Sequence, residues 1–230
     1  MSVNIFVSTV SDEFRPYRDR LRHDLTRQNV SVKVQEDFKD YGDGTLDGLD
    51  RLIAHCDAVI HLVGDMTGAK TDAIHEQGPL LRKHPDMTAR FAPLGAALAA
   101  GERLTYTQWE AWLALYHGKK LVVAKAAPEA PRADGYAPTE ASRASQATHL
   151  ARLEAVKRFD GCVFTNTADL ASYVFSSGVL DLLVEDYAKE ISYARDVAEG
   201  FIHEMAAKVA GDRSLDLEGM KQAVRNAIEI

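Results

Sequence analysis

The feature that most limits the fold is a repeated alternation. Short apolar runs are separated by longer stretches whose apolar residues recur every three or four positions. Val3–Thr9, Val30–Val34, Ala58–Val63, Leu121–Ala124 and Cys162–Thr165 each read as a strand, Leu121–Ala124 as a short buried one and Cys162–Thr165 as a short, edge-like one. The segments between them read as helices. Phe14–Gln28 places apolar residues at 14, 17, 21 and 25, and shorter helices are expected at Leu46–His55, Gly78–Lys83 and Phe91–Ala100. Further helices are expected from Thr139 to about Lys157 and from Asp169 to Leu183, after a loop at 125–138 that holds three prolines. Strands alternating with helices form parallel sheets, so the expected class is α/β, a flavodoxin-like doubly wound five-stranded sheet with helices on both faces.

One helix of this set carries a candidate functional group. In Leu104–Ala124, Thr105 or Thr107 can cap a helix that runs to about His117, and Gly118 ends it before the next strand. Trp109, Trp112, Leu113 and Tyr116 make its packing face. Glu110 falls in the first turn, near the positive end of the helix dipole. A carboxylate there lies at the rim of an α/β sheet, where such folds bind ligands. The structural reading of Glu110 is a partner for the dipole. The functional reading is a catalytic carboxylate.

Three segments taken in order resemble a known family. Ile5-Phe-Val-Ser8 is an opening strand ending in Ser. Asp37 through Gly44-Thr45-Leu46 is an acidic, glycine-containing loop after the second strand. Thr107-Gln-Trp-Glu110 stands eight residues before the Gly-Lys that opens the next strand. The set is similar to Toll/interleukin-1 receptor (TIR) domains, in particular a divergent bacterial branch placed at the N-terminus of defence or signalling proteins, and it spans residues 1 to about 125. The resemblance implies that Glu110 is catalytic, that the 37–45 loop is the family's BB loop, and that the reaction cleaves the nicotinamide–ribose bond of NAD+, with NAD+ as substrate and no further cofactor. It places Ser8, Thr9, Asp37 and Phe38 at the ligand, together with Gly44, Gly64, Tyr106 and Trp109. Trp109 or Phe38 would stack on a base, and Ser8, Thr9 and the amides of 42–44 would meet the diphosphate. The chain departs from the family at Thr9-Val-Ser-Asp12, where many members carry aromatic or basic residues. It also has an insertion at about 65–104, expected as two short helices forming a flap over the cleft. Two other readings accompany this one: a non-catalytic TIR module that self-associates, and an enzyme similar to nucleoside deoxyribosyltransferases.

Charge and absent motifs narrow the field. The formal net charge of −7 leaves no Lys/Arg stripe to displace counterions from a nucleic acid. Arg15, Arg18, Arg20, Arg22 and Arg27 are interleaved with acids and read as a solvated, salt-bridged face. No run reaches membrane-spanning length and no signal-peptide pattern opens the chain, so a cytoplasmic protein is expected. Cys56 and Cys162, without CxxC spacing, read as reduced, buried thiols. No Walker P-loop, nucleophile elbow or receiver-type acidic pair occurs. The eight His lack metal-ligand spacing, and His55 and His61 read as polar caps of a buried strand. No metal site is expected.

The expected organisation is an α/β domain at 1–183 and a helical appendage at 184–230. An apolar stripe from 180 to 209 continues after the sheet is complete and stops near Gly211, and Leu217–Ile230 reads as one more helix. The appendage suits a homo-oligomer contact or a link to a further module.

Overall fold

The computed structural model describes residues 3–27, 29–34 and 45–211. The sheet is five-stranded and all parallel, in the order β2-β1-β3-β4-β5. Its strands are β1 (Val3–Ser8), β2 (Val30–Lys33), β3 (Ala58–Val63), β4 (Lys120–Ala126) and β5 (Val163–Phe164). The helices are α1 (Ser11–Leu25), α2 (Thr45–Ala54), α3 (Gly78–Lys83), α4 (Met87–Arg90), α5 (Ala92–Ala99), α6 (Tyr106–Tyr116), α7 (Glu140–Ala155), α8 (Thr167–Val174) and α9 (Leu180–Gly211). Two single π-helical turns, Ala73–Gln77 and Phe175–Val179, precede α3 and α9. This is the flavodoxin-like doubly wound fold. Its strand order reverses between β1 and β3, so the crevice beyond the C-terminal ends of those two strands is where such sheets take ligands.

β3 is buried along its whole length, which is why it reads as an unbroken apolar run. α6 packs with it. The Thr105 hydroxyl accepts from the Gln108 amide while the Gln108 side chain accepts from the Thr105 amide, a capping box that settles the start of the helix on Thr105. Gly118 at φ +66 closes the other end, a conformation that disfavours any residue with a Cβ. Every residue of α6 from Thr107 to Leu115 is buried. Trp109 and Trp112 each remove about 150–250 Å² from water, on the order of 4–6 kcal/mol at about 25 cal/mol per Å².

The inserted segment is not a flap over a cleft. Leu80, Met87, Leu94 and Ala97 from α3, α4 and α5 join the cluster that holds Trp109, Trp112, Leu150 and Leu153. These helices supply the layer against which α6 is sealed, and Met87–Arg90 adds a helical turn that sequence pattern did not reveal.

The chain divides into two compact units, one of residues 2–182 and one beginning at Leu183. On α9, Val184, Tyr187, Ile191, Val197 and Ile202 are exposed. The expected 217–230 helix and the acidic loop, including Asp37, Phe38 and Gly44, lie outside the described residues. Among the described residues no helix is long and apolar enough to cross a membrane.

Candidate functional site

The site is built where β1 and β3 end side by side. Ser8 and His61 are register partners on these adjacent parallel strands, so their side chains leave the same face of the sheet. The Ser8 hydroxyl and His61 Nδ1 lie 2.7 Å apart. On the far side of the ring, His61 Nε2 meets His149 Nε2 of α7 at 3.1 Å. The His149 ring stands edge-on to Trp112, with centroids 6.5 Å apart. Ser8, His61 and His149 are all buried. Burial pushes His61 down to about 4 and, with the neighbouring His61 and Arg152 charges, holds His149 well below the usual histidine range, so both rings are neutral at physiological pH. With two neutral imidazoles joined through their Nε2 atoms, a single proton occupies that contact. Whichever ring supplies it fixes whether Ser8 donates to His61 or accepts from it.

Glu110 completes the group from the first turn of α6. It is 1% exposed rather than at a solvent rim, because the α3–α5 layer and α7 cover the faces of α6 that would otherwise meet water. Neither carboxyl oxygen has a hydrogen-bond partner of ordinary geometry. Burial pushes its pKa up to about 8, and the neighbouring Ser8 hydroxyl offsets only part of that. Glu110 is therefore a neutral acid at pH 7. An unpaired buried carboxyl costs about 1–3 kcal/mol, and folded chains keep such groups chiefly where function uses them.

A second buried carboxylate ties down the loop that follows β3. Glu13, in the first turn of α1, accepts from the Asp65 and Met66 amides at 3.0 and 2.8 Å and from Arg132 Nε at 2.9 Å. Gly64 is required by this contact, since a Cβ there would stand 2.0 Å from the Glu13 Oε1. The same loop is tied to α7, where Ser142 donates to the Asp65 carbonyl at 2.7 Å and Gln146 to the Met66 carbonyl at 2.8 Å.

The structure thus brings Ser8, Glu110 and Gly64 to one end of the sheet. Thr9 is buried beside them in sequence, with its hydroxyl unpartnered. Trp109 is wholly buried and donates its indole N–H to Thr71 at 3.2 Å, so neither ring face is open to solvent. Tyr106 points elsewhere: its hydroxyl donates to Glu76, 2.7 Å from the nearer oxygen. His61 is not a polar cap but a central member of the buried chain, and His149 and Glu13 were not singled out by pattern at all. Their partners lie 88 and 52 residues away in sequence, beyond the reach of any local spacing rule. Cys56 is buried, whereas Cys162 is only partly so, and both are free thiols. Arg18 is also buried, bonded to Ser11 and Asp19 instead of lying on a solvated face.

Two other features stand apart from this group. A shallow open groove of about 480 Å³ is lined by Asp160, Cys162, Asp169 and Tyr173 beside β5, the edge strand of the sheet. Asp50, His84 and His117 form the one cluster of metal-ligand type among the described residues. No protein-family model, no curated protein and no solved structure matches the chain.

Proposed function

We propose that this chain is a TIR-like NAD+ glycohydrolase, acting in immune or stress signalling, with Glu110 as its catalytic carboxylate. The observation that carries the reading is a buried, unpartnered glutamic acid beside Ser8, at the point where the strand order of the sheet reverses. Nicotinamide leaves NAD+ as a neutral pyridine, so the leaving group needs no proton. The demand falls on the ribose C1′, which becomes oxocarbenium-like as its bond to N1 lengthens. A cation held against Glu110 favours loss of the proton that burial retains there to the water admitted with the substrate, and the resulting carboxylate stabilises the charge. Water then adds to C1′ and passes a proton to Glu110, which restores the acid and leaves the proton that Glu110 first gave up as the one released. The products are nicotinamide, ADP-ribose and one H+.

The Ser8–His61–His149 chain supplies neutral, reorientable donors next to the carboxylate. A substrate reaches Glu110 only after a local opening. The 64–66 loop is the segment that such an opening must loosen, and its Glu13 and α7 ties set how firmly it is held. The self-associating module is the second reading. It is favoured by the sealed state of Glu110 and by the exposed apolar residues of α9. In both readings the chain assembles with copies of itself.

The deciding assay is nicotinamide and ADP-ribose formation from NAD+ at high protein concentration, with wild type beside Glu110→Ala. Turnover by wild type that the variant loses supports the enzyme. Equal background rates from the two proteins leave the self-association module.

A further inference from the structure

We infer that Asp50, His84 and His117 form a binding site for a first-row divalent transition metal, Zn2+ foremost, that fastens α2, α3 and α6 together. The three residues come from α2 and from the C-caps of α3 and α6. Both imidazoles turn the same atom, Nε2, toward one carboxylate. His84 Nε2 lies 2.9 Å from each Asp50 oxygen, and His117 Nε2 lies 2.7 Å from Oδ1. All the candidate ligand atoms fall within 4.8 Å of one another. Around a tetrahedral Zn2+ with bonds of about 2.0–2.1 Å, ligand atoms sit about 3.4 Å apart. Replacing the shared hydrogens by an ion therefore requires each imidazole to retreat by roughly half an ångström.

The surroundings hold that arrangement. The Tyr116 ring packs against His84 at 4.5 Å and against His117 at 5.4 Å, which fixes the tilt of both imidazoles. Lys83 Nζ bonds the other Asp50 oxygen at 2.7 Å, which leaves Oδ1 as a single-atom ligand. Its charge would repel the ion, but Lys83 also pairs with Asp47 at 3.0 Å and can lean toward it. Asp50 itself is sealed, whereas the His84 and His117 side chains keep 11% and 17% exposure. Water can enter from that side and complete the coordination. Two imidazoles and one carboxylate with an open position suit Zn2+, Co2+ or Fe2+ far better than Mg2+ or Ca2+, which prefer all-oxygen sets. The rival description is an ion-pair cluster with no metal function.

The test titrates CoCl2 into the tag-free, chelator-stripped full chain. Saturation at one Co2+ per chain is expected, with the intense visible ligand-field bands of a four- or five-coordinate ion. Zn2+ should displace it and Mg2+ should not. His84→Gln/His117→Gln should lose the bands while keeping the wild-type far-UV circular dichroism. For a variant that does not fold, histidine acylation of wild type by diethyl pyrocarbonate is the second measurement. Bound Zn2+ should protect His84 and His117 but not the exposed His23 or His75. Absence of the bands in wild type, their survival in the double variant, or equal acylation with and without Zn2+ would each overturn the site.

Discussion

Single residues at the centre of the fold carry opposite pH liabilities. Glu110 ionises at about 8 in the folded chain against an ordinary 4.5, so between those values the native state keeps a proton that the unfolded state releases. That makes stability fall with rising pH by roughly 1.4 kcal/mol per unit until about pH 8. His61 and His149 act in the other direction. Both stay neutral in the fold, so below about 6.5 the unfolded chain takes up two protons that the native chain refuses, and stability drops as pH falls. Together the three groups place maximal stability near pH 6.5. Urea denaturation at pH 6.5, 7.5 and 8.5 checks this, with Glu110→Gln expected to remove the decline on the alkaline arm. Parallel curves for the two proteins would show that the Glu110 carboxyl is not held protonated by burial. A second residue-scale expectation concerns Gly64→Ala, whose new methyl meets the Glu13 carboxylate. It should destabilise the chain by at least about 1–3 kcal/mol, as overpacking does, measured by thermal melting. An unchanged melting temperature would mean that the Glu13 clamp yields without strain.

At the scale of elements, the parts readable from sequence are those whose signals are local. β3 at Ala58–Val63 and α3 at Gly78–Lys83 fall where the apolar run and the Gly-Pro start place them. α6 begins on Thr105 and ends before Gly118, because a cap and a glycine mark its two ends. Elements with weaker punctuation shift. α1 starts at Ser11, three residues before its first apolar contact, and the 169–183 helix is interrupted by a π-helical turn with Gly178 at φ +84. The site was legible only where a helix terminus advertised it, as with Glu110. The His61–His149 contact and the Glu13 clamp arise from tertiary packing of separate elements, and no residue spacing encodes them. Asp50 with His84 and His117 escaped for the same reason, being spread over three helices. The α6 cap itself yields a prediction. Thr105→Ala removes the acceptor for the Gln108 amide and should cost about 0.5–2 kcal/mol, read from chemical denaturation. A loss near zero would mean that packing alone holds the α6 start.

At the scale of the whole molecule, the α/β unit closes its own core, and α9 then presents an apolar series to solvent. Exposed apolar series of that length on a polar chain usually find a partner surface. Light scattering should therefore report a dimer or larger for the intact chain and a folded monomer after removal of 184–230. A monomeric intact chain at tens of micromolar contradicts the assembly. The proposed NAD+ chemistry, however, rests on one carboxyl group, and NAD+ turnover in Glu110→Gln beside wild type reads its contribution. The substitution keeps size and shape while removing the ionisable oxygen. Turnover lower by orders of magnitude, with fold and oligomeric state unchanged, is the predicted result. A Gln variant that releases nicotinamide at the wild-type rate would show that Glu110 is not the catalytic carboxylate.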